Sequence, residues 1–463
     1  MSDLHHLAAA ARASDNRLLH AHPAQTRARA MAAHNILVTP APLDETGPEG
    51  PLYGVPVTVK DCFETAGLRS TAGHPPLTDH VPAQDAAMVA RLRQTGAVIL
   101  GKTNLAQLCG DVQTDNPIFG RTDNPWDASR TAGGSGGGGA AAVAWGLSRL
   151  ELGSDVAGSL RIPAGFCGVA ALKPGQGRLP MQGHIPPLPG TNGPDPMFGV
   201  AGLIARDSTD LAQGWHALTA EPPASAPQSP LSLAFAGGLG LPLCPRTAMA
   251  MTTMQDWLTQ SGHSLSRATI DHAAAWAAYG TLLTSAAAPF VPFWQRALLH
   301  LLRWVTPGRP IRSAMINGLT GSSADDARAL QAKVAAQIDT ILAQHNALLC
   351  PVTATAAFAH APKPRSYFAS RKIQSGARAL HYLEAGISMT SVFSLTGHPV
   401  VVVPLGLFDG LPVGVQIIMP QGQEAGLLAL STTLEAIFAT HRPPLWQSLA
   451  DRKPLLQEIS DDQ

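Results

Sequence analysis

The chain has 463 residues, with 32 Lys and Arg against 32 Asp and Glu, so it carries no net positive field to draw in nucleic acid or an anionic membrane surface. Charged residues make up 14% and hydrophobic residues 45%, which excludes an intrinsically disordered chain. No run of 18 apolar residues and no basic stretch leading into an apolar one at the N-terminus occurs, and the expectation is a soluble, cytoplasmic protein with no membrane anchor.

Length alone suggests two or three domains, but no linker divides the sequence, and a single domain over 1–463 is expected. A helix is predicted over Thr26–Asn35, followed by a turn-rich segment to Gly54 and a strand at Val55–Lys60. Met88, Val89 and Leu92 give Asp85–Thr95 a helical spacing, and Gly96 closes it. Ala97–Leu100 reads as a buried strand, and this alternation points to an α/β fold, a mixed twisted sheet with helices on both faces. Six glycines surround Ser135 in Gly133–Gly139, after which Ala140–Trp145 reads as a helix. Glu151–Arg161 reads as polar loop. Further strands are predicted at Val169–Leu172, Leu231–Phe235, Ala347–Cys350, Pro399–Leu405 and Gly414–Met419. Further helices are predicted at Thr247–Gln260, Asp325–His345 and Glu424–Ala439. Phe290–Val305 is amphipathic and carries Trp294 and Trp304. It fits a core helix, a lid over a hydrophobic pocket or an interfacial membrane helix, and with its flanks (280–310) it reads as an inserted segment.

Cys62, Cys109, Cys167, Cys244 and Cys350 are odd in number and widely spaced, which predicts reduced thiols, no metal and no cofactor. Two short motifs invite other readings. Gly96–Thr103 (GAVILGKT) matches a phosphate-binding loop letter for letter, but its middle residues have strand character and cannot also curl around a phosphate. Gly133–Gly137 (GGSGG) matches the G-x-S-x-G elbow of α/β-hydrolases, with His360, His381 and His398 downstream. The preceding PWDASRTAGG does not read as the strand such an elbow needs.

Taken together, Gly54–Asp61 (GVPVTVKD), Gly101–Asn104 (GKTN), Thr131–Pro174 with its GGSGGGG and GSDVAGSLRIPAGFCG runs, and Gly397–Gln416 (GHPVVVVPLGLFDGLPVGVQ) strongly resemble the amidase signature family. The resemblance runs in order from Arg27 to Ala439, with the segment 54–205 as its signature core. It implies that Ser159 is the nucleophile, that Ser135 is a bridging serine preceded by a cis peptide bond from Gly134, and that Lys60 is the base. The same resemblance makes the N–H groups of Val156, Ala157, Gly158 and Ser159 an oxyanion hole, and places Cys109 and Gly134 against the substrate. Two positions depart from the family pattern: Gly136 stands where a second serine is usual, and Ala157 where a glycine is. If position 157 required a positive φ, alanine would be strained there.

The chemistry asks for such residues. Amide carbonyls are poor electrophiles, so a hydroxyl must be activated and the leaving amine protonated. A lysine is a base only when neutral, so its ordinary value near 10.4 must fall to about 7, a cost of roughly 4 kcal/mol. The end of an apolar strand suits that demand, and Asp61 next to it opposes it unless tied elsewhere. The expected activity is hydrolysis of C–N acyl bonds in small, aryl or hydrophobic amides, or in carbamates. The alternatives are one component of an amidotransferase that passes ammonia to a partner enzyme, an esterase of the α/β-hydrolase type using Ser135, or a silent binding protein. The partner expected is a small molecule, not nucleic acid, and a homodimer stays open.

Overall fold

Runs of Val, Ile and Leu whose alternate residues face opposite ways build the centre of the protein. The computed structural model describes residues 3–191, 196–285, 310–320, 324–360 and 372–441. Among them are 17 strands: β1 (Leu37–Pro40), β2 (Pro56–Lys60), β3 (Val98–Thr103), β4 (Asp115–Asn116), β5 (Gly120–Arg121), β6 (Asp123–Asn124), β7 (Asp127–Thr131), β8 (Leu150–Asp155), β9 (Ala170–Lys173), β10 (Val200–Ala205), β11 (Ser232–Phe235), β12 (Ser264–Arg267), β13 (Ala347–Pro351), β14 (Lys372–Ser375), β15 (Arg378–His381), β16 (Val400–Phe408) and β17 (Leu411–Ile418). Eleven of them form one sheet in the order β1-β3-β2-β8-β10-β9-β16-β17-β13-β11-β12. Its centre is antiparallel, whereas β2 runs parallel to β3 and β8, and β11 parallel to β12 and β13.

The two-residue period of a strand sends side chains to both faces. Val401 and Val403 of β16 enter one core with Leu349 of β13 and Leu172 of β9. Val400 and Val402 enter the other with Leu348, Cys350 and Ala171. Helices Leu4–Ala13, Ala87–Gln94, Ser208–Thr219, Pro245–Gln260 and Glu424–His441 cover the first face. Helices Gly137–Ala144, Arg161–Cys167, His272–Ser285, Ala324–Leu342 and Tyr382–Leu395 cover the second. The result is the mixed sheet between helical layers that the sequence predicts. The segment Phe290–Val305 lies outside the described residues.

Several elements differ from the sequence reading. The first long helix near Thr26 is Ala21–Ala30, followed by a short turn of helix at Ala32–His34. The strand Ala97–Leu100 is displaced to Val98–Thr103 and runs on through Gly101, Lys102 and Thr103, all buried. Lys102 Nζ is not free to meet a phosphate: it donates to Ser70 Oγ at 2.9 Å and to the Phe63 carbonyl, and lies 3.7 Å from Asp61. Leu150–Asp155 is a fully buried strand, although the sequence reading places all of it from Glu151 onward in a loop. Its polar residues are tolerated in mid-sheet because each is paired.

Glu151 shows how. Thr103 Oγ1 donates to its Oε1 at 2.6 Å, and a Cβ on Gly139 would fall 2.5 Å from its Cδ. Burial pushes this carboxyl up from 4.5 to about 7. Between those values the native state holds a proton that the unfolded chain has released, so Glu151 makes stability fall as pH rises through that window. Glu151→Gln removes the titration. Urea unfolding should show the stability of the variant gaining on wild type by roughly 3 kcal/mol between about pH 5 and about pH 8, whatever the constant offset between the two proteins. Parallel pH curves would contradict this.

Candidate active site

Lys60 ends β2 and is fully buried. Its Nζ donates to Ser135 Oγ at 2.8 Å, Ser154 Oγ at 3.2 Å and the Ser154 carbonyl at 3.3 Å. Three acceptors around one nitrogen suit an ammonium. Burial pushes the amine down, but negative charge on the sulfurs of Cys109 and Cys62, where they are deprotonated, and on the carboxylate of Asp155 pushes it up further, and Lys60 stands above its ordinary value. Desolvation alone therefore does not deliver the fall that the apolar strand suggests. Asp61 is tied elsewhere: its Oδ2 accepts from Thr71 N at 3.0 Å and Thr71 Oγ1 at 2.6 Å.

Ser135 lies in the turn between β7 and helix Gly137–Ala144 and is also fully buried. The Gly134–Ser135 peptide is cis. No side chain fits at 134, because a Cβ would lie 2.6 Å from the Asp111 carbonyl and 2.7 Å from Gln113 N. The residues before Ser135 do contain a strand, β7, contrary to the sequence reading, but it pairs with β6 and bridges to Ala359, away from the large sheet. Ser135 meets a lysine rather than a histidine. His398 bonds Thr396 and Asp339, His381 caps helix Tyr382–Leu395, and His360 lies 3.3 Å from Asp123. The hydrolase elbow is therefore not built here. At Gly136, a Cβ would crowd the Ser159 carbonyl at 3.1 Å and rest in ordinary contact with Lys60 Cδ at 3.6 Å.

Ser159 follows β8 in a tight strand-to-helix turn, Val156–Leu160, that leads into Arg161–Cys167. Asp155 holds this turn. Its Oδ1 accepts from Gly158 N and Arg161 Nη2, both at 2.8 Å, and its Oδ2 accepts from Arg161 Nε at 3.0 Å and Leu160 N at 3.1 Å. Arg161 is wholly buried and also donates to Ser394 Oγ, the Thr390 carbonyl and Gln416 Oε1. Burial opposes the Asp155 carboxylate, but the Arg161 charge and hydrogen bonds outweigh it and hold its pKa below the ordinary value. Gly158 has φ +125°, and a Cβ there would meet Thr390 Oγ1 at 2.5 Å. Its N–H is bound to Asp155 and does not face outward, a correction to the expected set of four oxyanion donors. The N–H groups of Val156, Ala157 and Ser159 have no acceptor among the described residues. Ala157 is not among the residues with positive φ, so its methyl narrows the site without backbone strain.

These groups border a cavity of about 280 Å³. Ser159, Val156, Ala157, Gly134 and Cys109 line it, with apolar walls from Val112, Ile162, Pro186, Tyr279, Leu283, Met315 and Ile387. The Ser159 side chain has no hydrogen-bond partner among the described residues, and the residue is 8% exposed. Lys60 and Ser135 lie behind the wall. Cys109 stands on a left-handed turn, with φ +58° after Leu108 at +49°. The neighbouring Cys62 thiol and the Lys60 charge draw its thiol well below the ordinary range, against burial. Sequence reasoning missed Ser154 and His184, whose Oγ and Nε2 lie 2.9 Å apart, because no spacing connects them. It also passed over Asp155 and Arg161, although two opposite charges in a motif this poor in charge could have flagged a buried pair.

The amidase family model matches residues 6–428. A Mycobacterium tuberculosis (strain H37Rv) protein with the provisional name amidase AmiA2 is 32% identical over 437 residues, covering 86% of this chain and 83% of its own length. One component of the glutamyl-tRNA(Gln) amidotransferase of Natronomonas pharaonis is 42% identical over 206 residues, 42% of this chain and 46% of that component; the match thus takes in less than half of that relative. A crystal structure of an amidase superposes with a TM-score of 0.76 at 27% identity, over 94% of this chain and 99% of the other. With the family match covering most of its length, the chain belongs to the amidase family, also called the amidase signature family.

Proposed function

We propose that the protein hydrolyses C–N acyl bonds of uncharged hydrophobic amides, anilides and carbamates included, through an acyl-enzyme on Ser159. The observation that carries this reading is the 2.8 Å hydrogen bond between Lys60 Nζ and Ser135 Oγ behind a cavity that opens on Ser159. Ser159 Oγ attacks the carbonyl carbon and passes its proton to Ser135, which passes its own to Lys60. The negative oxygen is met by the N–H groups of Val156, Ala157 and Ser159; one such donor typically lowers a barrier by about 2.7–4 kcal/mol. Returning the proton along the same path releases the amine, and water then takes the place of Ser159 on the acyl group. Lys60 acts as base in the state in which Cys109 carries its proton as a neutral thiol. The pull that holds the ammonium is then weakened, and burial favours the free amine.

The walls, apolar apart from Asp111, His184 and the Ser159 turn, support a largely apolar substrate. A free amino acid amide such as glutamine would have to leave water with two charges, at a cost of several kcal/mol per unpaired ion. The amidotransferase reading rests on the partial likeness to the Natronomonas pharaonis protein. A panel of acetamide, longer aliphatic amides, anilides, carbamates and glutamine separates the two. Each methylene buried contributes about 0.8 kcal/mol, so kcat/KM should rise about fourfold per added methylene until the cavity is full. Glutamine turned over faster than every hydrophobic amide would reject the proposal in favour of the amidotransferase.

A further inference from the structure

We infer that Cys62, Cys109 and His184 form a site for a thiophilic divalent cation, with zinc as the type case, and that the bound ion inhibits the enzyme from the cavity wall. The three residues are far apart in sequence and match no metal motif. The fold nevertheless brings one ligand atom from each within 4.8 Å of the others. In a tetrahedral zinc site, sulfur at about 2.3 Å and nitrogen at about 2.0–2.1 Å from the ion stand roughly 3.5–3.8 Å apart. Closing the remaining gap takes a shift of about 1 Å at most, and Cys109 stands on an irregular turn outside any strand or long helix. Cys62 follows β2 directly and supplies the fixed side.

His184 is already set for such a role. Its Nδ1 lies 2.9 Å from the Pro186 carbonyl. A carbonyl only accepts, so Nδ1 bears the proton and Nε2 presents a lone pair, the arrangement in which a ligating histidine is held from behind. Phe63 packs edge-on to the ring at 5.1 Å. Two sulfurs and an imidazole favour zinc, copper or cadmium over magnesium or calcium, which ask for oxygen. Neighbouring carboxylates are engaged elsewhere: Asp155 by Arg161, Asp61 by Thr71, and Asp111, which shares the cavity wall, by Tyr382. Cys109 and His184 both border the cavity, which gives the ion its route and leaves its fourth position facing the substrate space. On binding, each thiol that still carries a proton releases it to solvent, and each sulfur donates a lone pair to the metal. The ion also takes His184 Nε2 from Ser154 Oγ, the hydroxyl that holds Lys60.

The test uses the full chain, stripped with a chelator and titrated with cobalt(II), then zinc(II). One cobalt per chain should bind with a thiolate-to-metal charge-transfer band, and zinc should displace it. Cys62→Ser and Cys109→Ser should each diminish the band, and all three variants, His184→Gln included, should weaken zinc binding at least about tenfold. Zinc should inhibit wild-type amide hydrolysis reversibly, and magnesium should not. A wild type without the band, or a Cys109→Ser variant that binds zinc as tightly as wild type, overturns the site. So does loss of both thiols to a disulfide under the same conditions. If buried Cys62→Ser does not fold, the two cavity-edge variants decide. The inhibitory role rests on the proposed hydrolysis, but the cobalt titration does not, so a failure of either is told apart.

Discussion

Ser159→Ala should fold like the wild type and lose amide hydrolysis by about 10⁴- to 10⁶-fold in kcat. Stability is spared because the hydroxyl gives up no hydrogen bond among the described residues and sits at a cavity rather than in packed core. Activity is lost because no other hydroxyl lies on the turn with the three open N–H groups. A residue of catalysis over water should persist, since those donors and the cavity remain. Ser135→Ala and Lys60→Met should each cost nearly as much, and combining them with Ser159→Ala should cost little more, as members of one proton path do. Matched measurements of kcat, thermal unfolding and fluorophosphonate labelling check this. Labelling that survives in Ser159→Ala would remove it as the nucleophile.

Asp155→Ala should destabilise the protein by about 3–5 kcal/mol, the usual consequence of leaving one partner of a buried ion pair alone. Arg161 would keep three acceptors, Ser394, Thr390 and Gln416, but no counter-charge. The same change unties Gly158 N and Leu160 N, so the Ser159 turn loses its anchor as well. A double variant, Asp155→Leu with Arg161→Met, separates the two effects. Replacing both charges with apolar groups of similar volume should restore most of the stability, whereas activity should stay low because nothing holds the turn. Urea unfolding and kcat on one anilide give both readings. Full recovery of activity in the double variant would show that Asp155 serves stability alone.

The strands built from apolar runs were legible in the sequence: VPVTVK, AVIL and the valines of β16 stand within a few residues of their predicted places. Leu150–Asp155 was not, because Glu151, Ser154 and Asp155 look like loop residues until their partners are known. Those partners are Thr103, Lys60 and Arg161, two of them distant in sequence. Helices His272–Ser285 and Tyr382–Leu395 escaped for a different reason. They are apolar nearly all round, so they lack the one-sided stripe by which a surface helix is recognised. Within the site, the family resemblance named Lys60, Ser135 and Ser159, and the structure brings the first two into contact. It could not supply the direction in which Lys60 titrates. That depends on Cys109 and Cys62, whose placement beside the amine follows from the left-handed turn at 108–109 and from no local pattern.

Lys60 and the Ser159 turn stand at the same ends of β2 and β8, neighbouring parallel strands in fixed register. Most of the cavity wall comes from the same part of the chain, between Leu108 and Pro196, but one side is closed by later helices, with Tyr279 and Leu283 on one, Met315 on another and Ile387 on a third. One side of the cavity is thus built from helices that carry none of Lys60, Ser135 and Ser159. Residues on that helical side can be exchanged one at a time without touching β2, β8 or the Ser159 turn, which makes them the natural positions for laboratory evolution of new substrate ranges.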